Sequence, residues 1–112
     1  MQTANLFSAQ SKVTTFAATT SAPTPKQLLA GGNTLRVVNE GSVGVFIAVG
    51  DTSATSIATL PTDGSVTSCF VAPTADVNFG MPDVPQGGPY KFVSAICRSG
   101  TATVEFYAGE SS

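Results

Sequence analysis

The sequence predicts an all-β fold, a single-domain antiparallel β-sandwich. No window carries apolar residues at the i, i+3, i+4, i+7 spacing of an amphipathic helix. Short stretches rich in Val, Thr and Phe recur instead, with turn residues between them every 8 to 12 residues or so, a spacing typical of sandwiches and small barrels. The length of 112 residues is enough for one hydrophobic core and too short for two.

The first half of the chain contains three candidate strands. Residues 12–18 form a short Thr-rich stretch, and residues 35–39 and 43–50 flank the segment Asn39-Glu40-Gly41-Ser42. Asn and Gly favour a tight reversal, so we expect the last two strands to form a hairpin. In residues 43–50 both alternating sets are apolar. This predicts a central strand covered on one face by the core and on the other by a partner.

The second half repeats this organisation. Residues 66–71 are a strand candidate, and residues 91–98 and 101–108 are separated by Ser99-Gly100, which predicts a second hairpin. The last of these strands has the clearest alternation. Its inward set is Ala102, Val104 and Phe106, and its outward set is Thr101, Thr103, Glu105 and Tyr107.

Two segments have no strand period. Residues 19–25 are rich in Pro and Thr, which favours an extended conformation, and we interpret residues 1–25 as an extended N-terminal arm before a β-sandwich domain at residues 26–112. Residues 72–90 contain four prolines and three glycines and predict a long loop, with a short strand at 77–79. For the sandwich we expect a jelly-roll-like arrangement, with an open immunoglobulin-like sandwich as the alternative.

Low charge suggests a surface that other proteins cover. Charged residues make up 11% of the chain, against about 25% in an ordinary soluble domain, and an unusually neutral monomer is the alternative. The five cations form no run, so we expect no nucleic-acid partner. The longest apolar stretch, residues 43–50, is far below the roughly 20 residues of a membrane-spanning helix, so we expect no membrane partner. The start MQTANLFSAQ lacks the basic and apolar regions of a signal peptide, so we expect no export by that route.

The residue inventory argues against an enzyme. The chain has no histidine, which removes the commonest general base and most zinc and copper sites. Cys69 and Cys97 are too few for a metal site of their own. We expect both to be buried, reduced thiols, with a disulfide or a reactive thiol as the alternative. We therefore predict no catalytic residues, no metal and no cofactor.

Apolar residues in the non-periodic segments are the candidate interface. An arm and a loop present such side chains to a partner, or the same side chains fold back onto the core. The candidates are Leu6, Phe7, Phe16, Leu28, Leu29, Phe79, Met81 and Val84.

Several short motifs resemble those of small head proteins of tailed bacteriophages. Residues 35–42 read LRVVNEGS and lead into VFIAVG at residues 45–50, similar to the "LRVxNxGS" turn and "VFVxxG" strand of that family. Ala58-Thr59-Leu60-Pro61 matches its Ala-Thr-x-x-Pro segment. Gly100 to Val104 with Gly109-Glu110 matches its closing hairpin. The resemblance covers about residues 26 to 110.

This resemblance implies a capsid decoration or cement protein. Such proteins are β-sandwiches, often jelly rolls, that assemble as dimers or trimers on the outside of the phage head and clamp neighbouring major capsid protein subunits. The implied location is the virion surface, after synthesis in the host cytoplasm. The alternative is a receptor- or glycan-binding β-sandwich of a head fibre or tail, which an exposed aromatic cluster would favour. Nothing specific in the sequence points to a third class, a cytoplasmic inhibitor of a host protein.

Overall fold

Eight strands and no helix make up the described part of the chain. The computed structural model describes residues 7–29, 31–61, 69–84 and 89–111, with side chains described at 13–29, 31–61, 69–80 and 89–109. The strands are β1 Phe7–Ala18, β2 Lys26–Gln27, β3 Gly32–Asn39, β4 Val45–Gly50, β5 Cys69–Val71, β6 Asp76–Val84, β7 Phe92–Ile96 and β8 Ala102–Ser111. The all-β prediction is confirmed.

The strands form two four-stranded sheets. The first sheet has the order β1-β8-β3-β6 and the second has the order β2-β7-β4-β5. Every pairing between neighbouring strands is antiparallel. The arrangement is that of a β-sandwich, as predicted, with β1 and β6 at the edges of one sheet and β2 and β5 at the edges of the other.

The main core is built from the inward faces of both sheets. In β8 the inward set Ala102, Val104 and Phe106 is buried while Thr101 and Thr103 are exposed, which confirms the predicted alternation. The other strands contribute β-branched and aromatic residues in the same period of two. Large side chains of this core are Phe16, Leu28, Leu35, Val37, Val45, Ile47, Val71, Val93, Val104 and Phe106.

A second, smaller core covers the outer face of the second sheet. Phe46 and Ile96 lie on that face, and Ala58 and Leu60 pack on them from the segment that follows β4. The chain itself therefore covers part of the face that the sequence assigned to a partner. Ser94, buried beneath this segment, forms hydrogen bonds with Ser56 and with Ala58.

Both predicted hairpins are wrong. β3 and β4 belong to different sheets, and so do β7 and β8. The turns at residues 39–42 and at Ser99-Gly100 carry the chain from one sheet to the other. Gly100 has a φ of +69°, a left-handed conformation that glycine adopts without steric cost.

Asn39 explains why the first of these turns crosses the sandwich. Its side chain is buried, and its Nδ2 donates hydrogen bonds to the carbonyl oxygens of Val43 at 2.9 Å, of Ala72 at 3.2 Å and of Val71 at 3.4 Å. Its Oδ1 accepts one from Gly41 N–H at 2.9 Å. The amide thus joins the end of β3 to the approach to β4 and to the end of β5, and these long-range contacts prevail over the local hairpin tendency.

The predicted arm and the predicted loop both contain more strand than the candidate strands at residues 12–18 and 77–79. Residues 76–84 form β6, so the prediction of a loop with a strand only at 77–79 is wrong for these residues. Pro82 has no N–H to donate, and β6 tolerates it because an edge strand needs hydrogen bonds on one side only. Of the predicted arm, residues 7–18 form β1, which pairs with β8 at the edge of the first sheet.

The two cysteines are free but differ in exposure. Cys97 is buried, as predicted, and burial raises the pKa of its thiol. The predicted burial of Cys69 is wrong, because that residue begins the three-residue edge strand β5 and is exposed.

Candidate interaction surface

Four of the eight candidate interface residues have described side chains. Phe16 and Leu28 lie in the main core, with exposed fractions of 6% and 1%, so packing within the chain accounts for them. Phe79 is half-buried and packs against the same core. Leu29 is 53% exposed and is the candidate that the structure places at the surface.

The other four candidates are not described at the level of side chains. Leu6 lies outside the described residues. The backbone of Phe7 pairs with Ser111, and that of Val84 with Gly32, while Met81 belongs to β6. The side chains of Phe7, Met81 and Val84 lie outside the described part of the chain.

Leu29 lies in a groove between the edge strands of the two sheets. This groove, which we call the β1–β2 groove, has a volume of about 370 Å³ and is lined by Val13, Thr14, Thr15, Lys26, Gln27 and Leu29. Val13 is the second exposed apolar residue here, at 39%. The Nζ of Lys26 donates a hydrogen bond of 3.0 Å to the carbonyl oxygen of Thr15, which ties the two edge strands together.

A second apolar patch lies on the outer face of the second sheet, at its β5 edge. Phe70 is 55% exposed, the largest fraction among the exposed apolar side chains of the described residues. Its ring is tilted by 51° against that of Phe46, its cross-strand partner, with 5.0 Å between ring centroids. A Cβ on Gly44 would lie only 2.5 Å from the Cζ of Phe70, so glycine at this position leaves room for the ring.

Arg98 belongs to the same patch. Its guanidinium carbon lies 5.4 Å from the centroid of the Phe46 ring, within the range of a cation–π interaction. Arg98 is exposed, and among the described residues it forms no salt bridge. We call the set Gly44, Phe46, Phe70 and Arg98 the Phe70 patch.

The β1–β2 groove and the Phe70 patch lie at opposite edges of the second sheet. Leu29 follows β2, the first strand in the order β2-β7-β4-β5, and Phe70 is in β5, the last. Neighbouring strands are about 4.8 Å apart, so the two edges are separated by about 14 Å of hydrogen-bonded backbone. A hydrogen-bonded sheet of four strands holds the two surfaces in a fixed relation.

The outer face of the first sheet carries a polar network. Arg36 Nε donates a hydrogen bond of 2.9 Å to Asp76 Oδ1, and its guanidinium carbon lies 5.7 Å from the centroid of the Tyr107 ring. The hydrogen bond from Arg36 holds the pKa of Asp76 below its ordinary value. Tyr107 donates a hydrogen bond of 2.9 Å to Glu105 Oε1, and this bond raises the pKa of the tyrosine. Arg36 and Asp76 neutralise each other, and the network connects three neighbouring strands.

A cleft opens between the sheets where β4 ends. It has a volume of about 350 Å³, and its apolar wall comes from Leu35, Val49 and Phe79. Lys91 also lines the cleft and pairs with Asp51, whose side chain is 80% exposed. The cation here is therefore already neutralised by a carboxylate of the same chain.

Acidic and thiol groups do not converge in the described residues. No cluster of three or more Cys, Asp or Glu side chains is positioned to hold a metal ion in that part of the chain. The same residues include no helix long and apolar enough to cross a membrane.

Sequence reasoning missed Val13 and Phe70 because it sought the interface in segments without a period. Both residues lie in strands, on the outward side of the alternation that buries Phe16 in β1 and Val71 in β5. For Val13 the available signal was an apolar residue in register with the outward Thr15.

Comparison of the chain with models of protein families, with curated proteins and with solved structures found no match.

Proposed function

We propose that the chain is a non-enzymatic structural protein of a bacteriophage virion. In this proposal it binds the outside of the assembled head as a decoration or cement protein and stabilises contacts between major capsid protein subunits. The observation that supports it best is the pair of exposed apolar surfaces at opposite edges of one rigid sheet. A protein with two such surfaces has the geometry to connect two neighbours.

The order of the strands supports this class of protein. Every connection along the chain except the one between β4 and β5 passes from one sheet to the other. We infer from this order that the sandwich is a jelly roll, in which two Greek keys interlock across two sheets. Jelly rolls occur in viral capsid domains and in lectins. The fold is thus an analogy that favours a virion protein, and the sequence motifs at residues 35–42 and 45–50 favour a decoration protein among them.

Association with further copies is the second part of the proposal. The β1–β2 groove offers Val13 and Leu29 to a neighbouring copy, in a dimer or a trimer. β1 is an edge strand whose outer edge has no partner strand among the described residues, and in this proposal a strand of the neighbouring copy extends the contact along that edge. An oligomer contacts several capsid subunits at once, and multivalency then converts weak single contacts into strong attachment.

Stabilisation of the head follows from mass action. A protein that binds the assembled shell but not its separated subunits must shift the equilibrium toward the shell. Each copy needs a total interface of about 1,200–2,000 Å², the size of ordinary stable protein complexes. No chemistry is required of the chain.

The test is reconstitution. Heads prepared without this protein are mixed with the purified chain, and rebinding and resistance to heat or osmotic shock are measured. The proposal expects saturable rebinding and raised resistance. Absence of rebinding to heads, together with specific binding to host cell-surface glycans, would favour a receptor-binding role. For that role the exposed ring of Phe70 supplies the surface on which a sugar could stack.

A further inference from the structure

We infer that the Phe70 patch is the surface that binds the capsid, and that it recognises a protein surface with a carboxylate beside apolar side chains. This inference rests on the proposed function and adds to it the chemistry of the contact. It follows from three properties of the patch: the packing of Phe70, the position of Arg98 and the lack of a carboxylate partner for Arg98 among the described residues.

The ring of Phe70 packs against neighbours of its own chain. It packs against Phe46 on one side, at 5.0 Å between centroids, and Gly44 leaves the space that the ring occupies. Phe46 itself is buried under the outer layer that Ala58 and Leu60 form. A rigid aromatic ring that is still 55% exposed buries a large apolar area at little further loss of side-chain entropy. Such residues dominate binding energy at protein interfaces.

A partner that covers Phe70 also removes water from Arg98. Both groups lie within 5.4 Å of the centre of the same Phe46 ring. Two side chains this close share one interface footprint, since each partner of a stable complex contributes about 800 Å². Arg98 therefore cannot stay fully hydrated when Phe70 is buried.

An arginine in this position requires an anion from the partner. Arg36 pairs with Asp76 and Lys91 pairs with Asp51, whereas Arg98 has no carboxylate partner among the described residues. Leaving its guanidinium dehydrated and unpaired would strongly oppose binding. A carboxylate is the best partner for Arg98, because its two oxygens form a bidentate contact with the guanidinium. The partner surface is thus apolar opposite Phe70 and acidic opposite Arg98.

The β1–β2 groove has no aromatic side chain among its described lining residues. Its cation, Lys26, donates a hydrogen bond to the carbonyl oxygen of Thr15, which is a neutral group, so the ammonium keeps its charge. Both surfaces therefore carry a cation, and the exposed aromatic ring is what distinguishes the Phe70 patch. Aromatic and arginine side chains are the usual anchors of protein interfaces, so we assign the capsid to this patch.

The first experiment measures binding of purified variants to heads that lack the protein, by co-sedimentation over a range of concentrations. Phe70→Ser is expected to weaken binding about thirtyfold or more, the loss typical of a hot-spot residue. Phe70→Leu keeps an apolar side chain and is expected to lose less. Val49→Ser, a matched change at an exposed apolar residue of the cleft, is expected to bind like the unchanged protein. Thermal unfolding of each variant identifies any loss that comes from the fold.

The second experiment tests the charge with substitutions of Arg98. Arg98→Lys keeps the charge and is expected to bind best of the series. Arg98→Gln is expected to weaken binding about tenfold, and Arg98→Glu more strongly, because it places like charges together. Raising the salt concentration is expected to weaken binding of the unchanged protein and to have little effect on the Gln variant.

The outcomes separate this inference from the proposed function. If the unchanged protein binds heads and the Phe70 and Arg98 variants bind equally well, the inference is wrong and the decoration role stands. If Phe70→Ser loses binding while Arg98→Glu does not, the acidic partner is wrong. If the unchanged protein does not bind heads at all, both are overturned.

Discussion

The hydroxyl of Ser94 donates a hydrogen bond of 2.5 Å to the carbonyl oxygen of Ser56, and both side chains are fully buried. The same oxygen atom of Ser94 accepts a hydrogen bond of 2.7 Å from the N–H of Ala58. One hydroxyl thus satisfies two backbone groups of the segment that covers the outer face of β7. The segment holds its place on the sheet through this serine and through the apolar contacts of Ala58 and Leu60.

Ser94→Ala is therefore expected to destabilise the protein by about 1–3 kcal/mol, because it leaves a buried donor and a buried acceptor without a partner. Urea unfolding measured by circular dichroism checks this value. Ser99→Ala, the same change at an exposed position of the turn after β7, serves as the control and is expected to stay within about 0.5 kcal/mol. Equal stability of the two variants would show that the Ser94 hydroxyl does not hold the segment.

The sequence predicts which residues form strands better than it predicts how the strands pair. Alternation identified the inward set of β8 correctly, since a side-chain period of two is a local property. The turns at residues 39–42 and Ser99-Gly100 were located but misinterpreted as hairpins. A turn of Asn, Gly and Ser reverses the chain equally well within one sheet or between two, and the choice depends on distant partners of Asn39.

The candidate surface was predicted in part. Leu29 was named from the sequence and is exposed, whereas Phe16 and Leu28 belong to the core. The exposure of Phe70 depends on tertiary packing, since Ala58 and Leu60 pack in a cluster with Phe46 that does not include Phe70. The amino-acid composition does not predict which apolar residues of a strand are exposed.

Asn39 offers a test of the crossing between sheets. Asn39→Asp keeps the shape of the side chain but replaces the donating amide with oxygen, facing the carbonyl oxygens of Val43, Val71 and Ala72. We expect a loss of at least about 2 kcal/mol in the free energy of unfolding at neutral pH, since a charge is buried among acceptors.

The matched control is Asn78→Asp on the outer face of the first sheet. Asn78 is exposed on β6, so the identical chemical change is expected to alter stability by less than about 0.5 kcal/mol. Comparable losses for the two variants would mean that the hydrogen bonds of Asn39 do not direct the crossing.

The two thiols are expected to react at different rates with a maleimide in the folded protein. Cys69 is exposed and should label fast. Cys97 is buried, and burial raises the pKa of its thiol, so both access and thiolate fraction are low and labelling should wait for unfolding. Mass spectrometry over time is expected to show one modification first. Cys69→Ser should abolish the fast reaction and Cys97→Ser should retain it; two slow thiols in the unchanged protein would contradict the exposure of Cys69.

The pair of Arg36 and Asp76 predicts a small, acid-sensitive contribution to stability. The hydrogen bond from Arg36 lowers the pKa of Asp76 from its ordinary 3.8, so the contribution is complete above that pH and is lost as the pH falls through the lower folded-state pKa. Both side chains are exposed by 40% or more, so solvent screening limits the contribution to less than about 1 kcal/mol. Asp76→Asn should accordingly be slightly less stable than the unchanged protein at neutral pH, and the difference should shrink as the pH falls below 3.8. Arg36→Gln and the double variant complete a cycle that isolates the pair. A stability difference that stays constant across this pH range would mean that the effect of the substitution does not come from the ionised carboxylate.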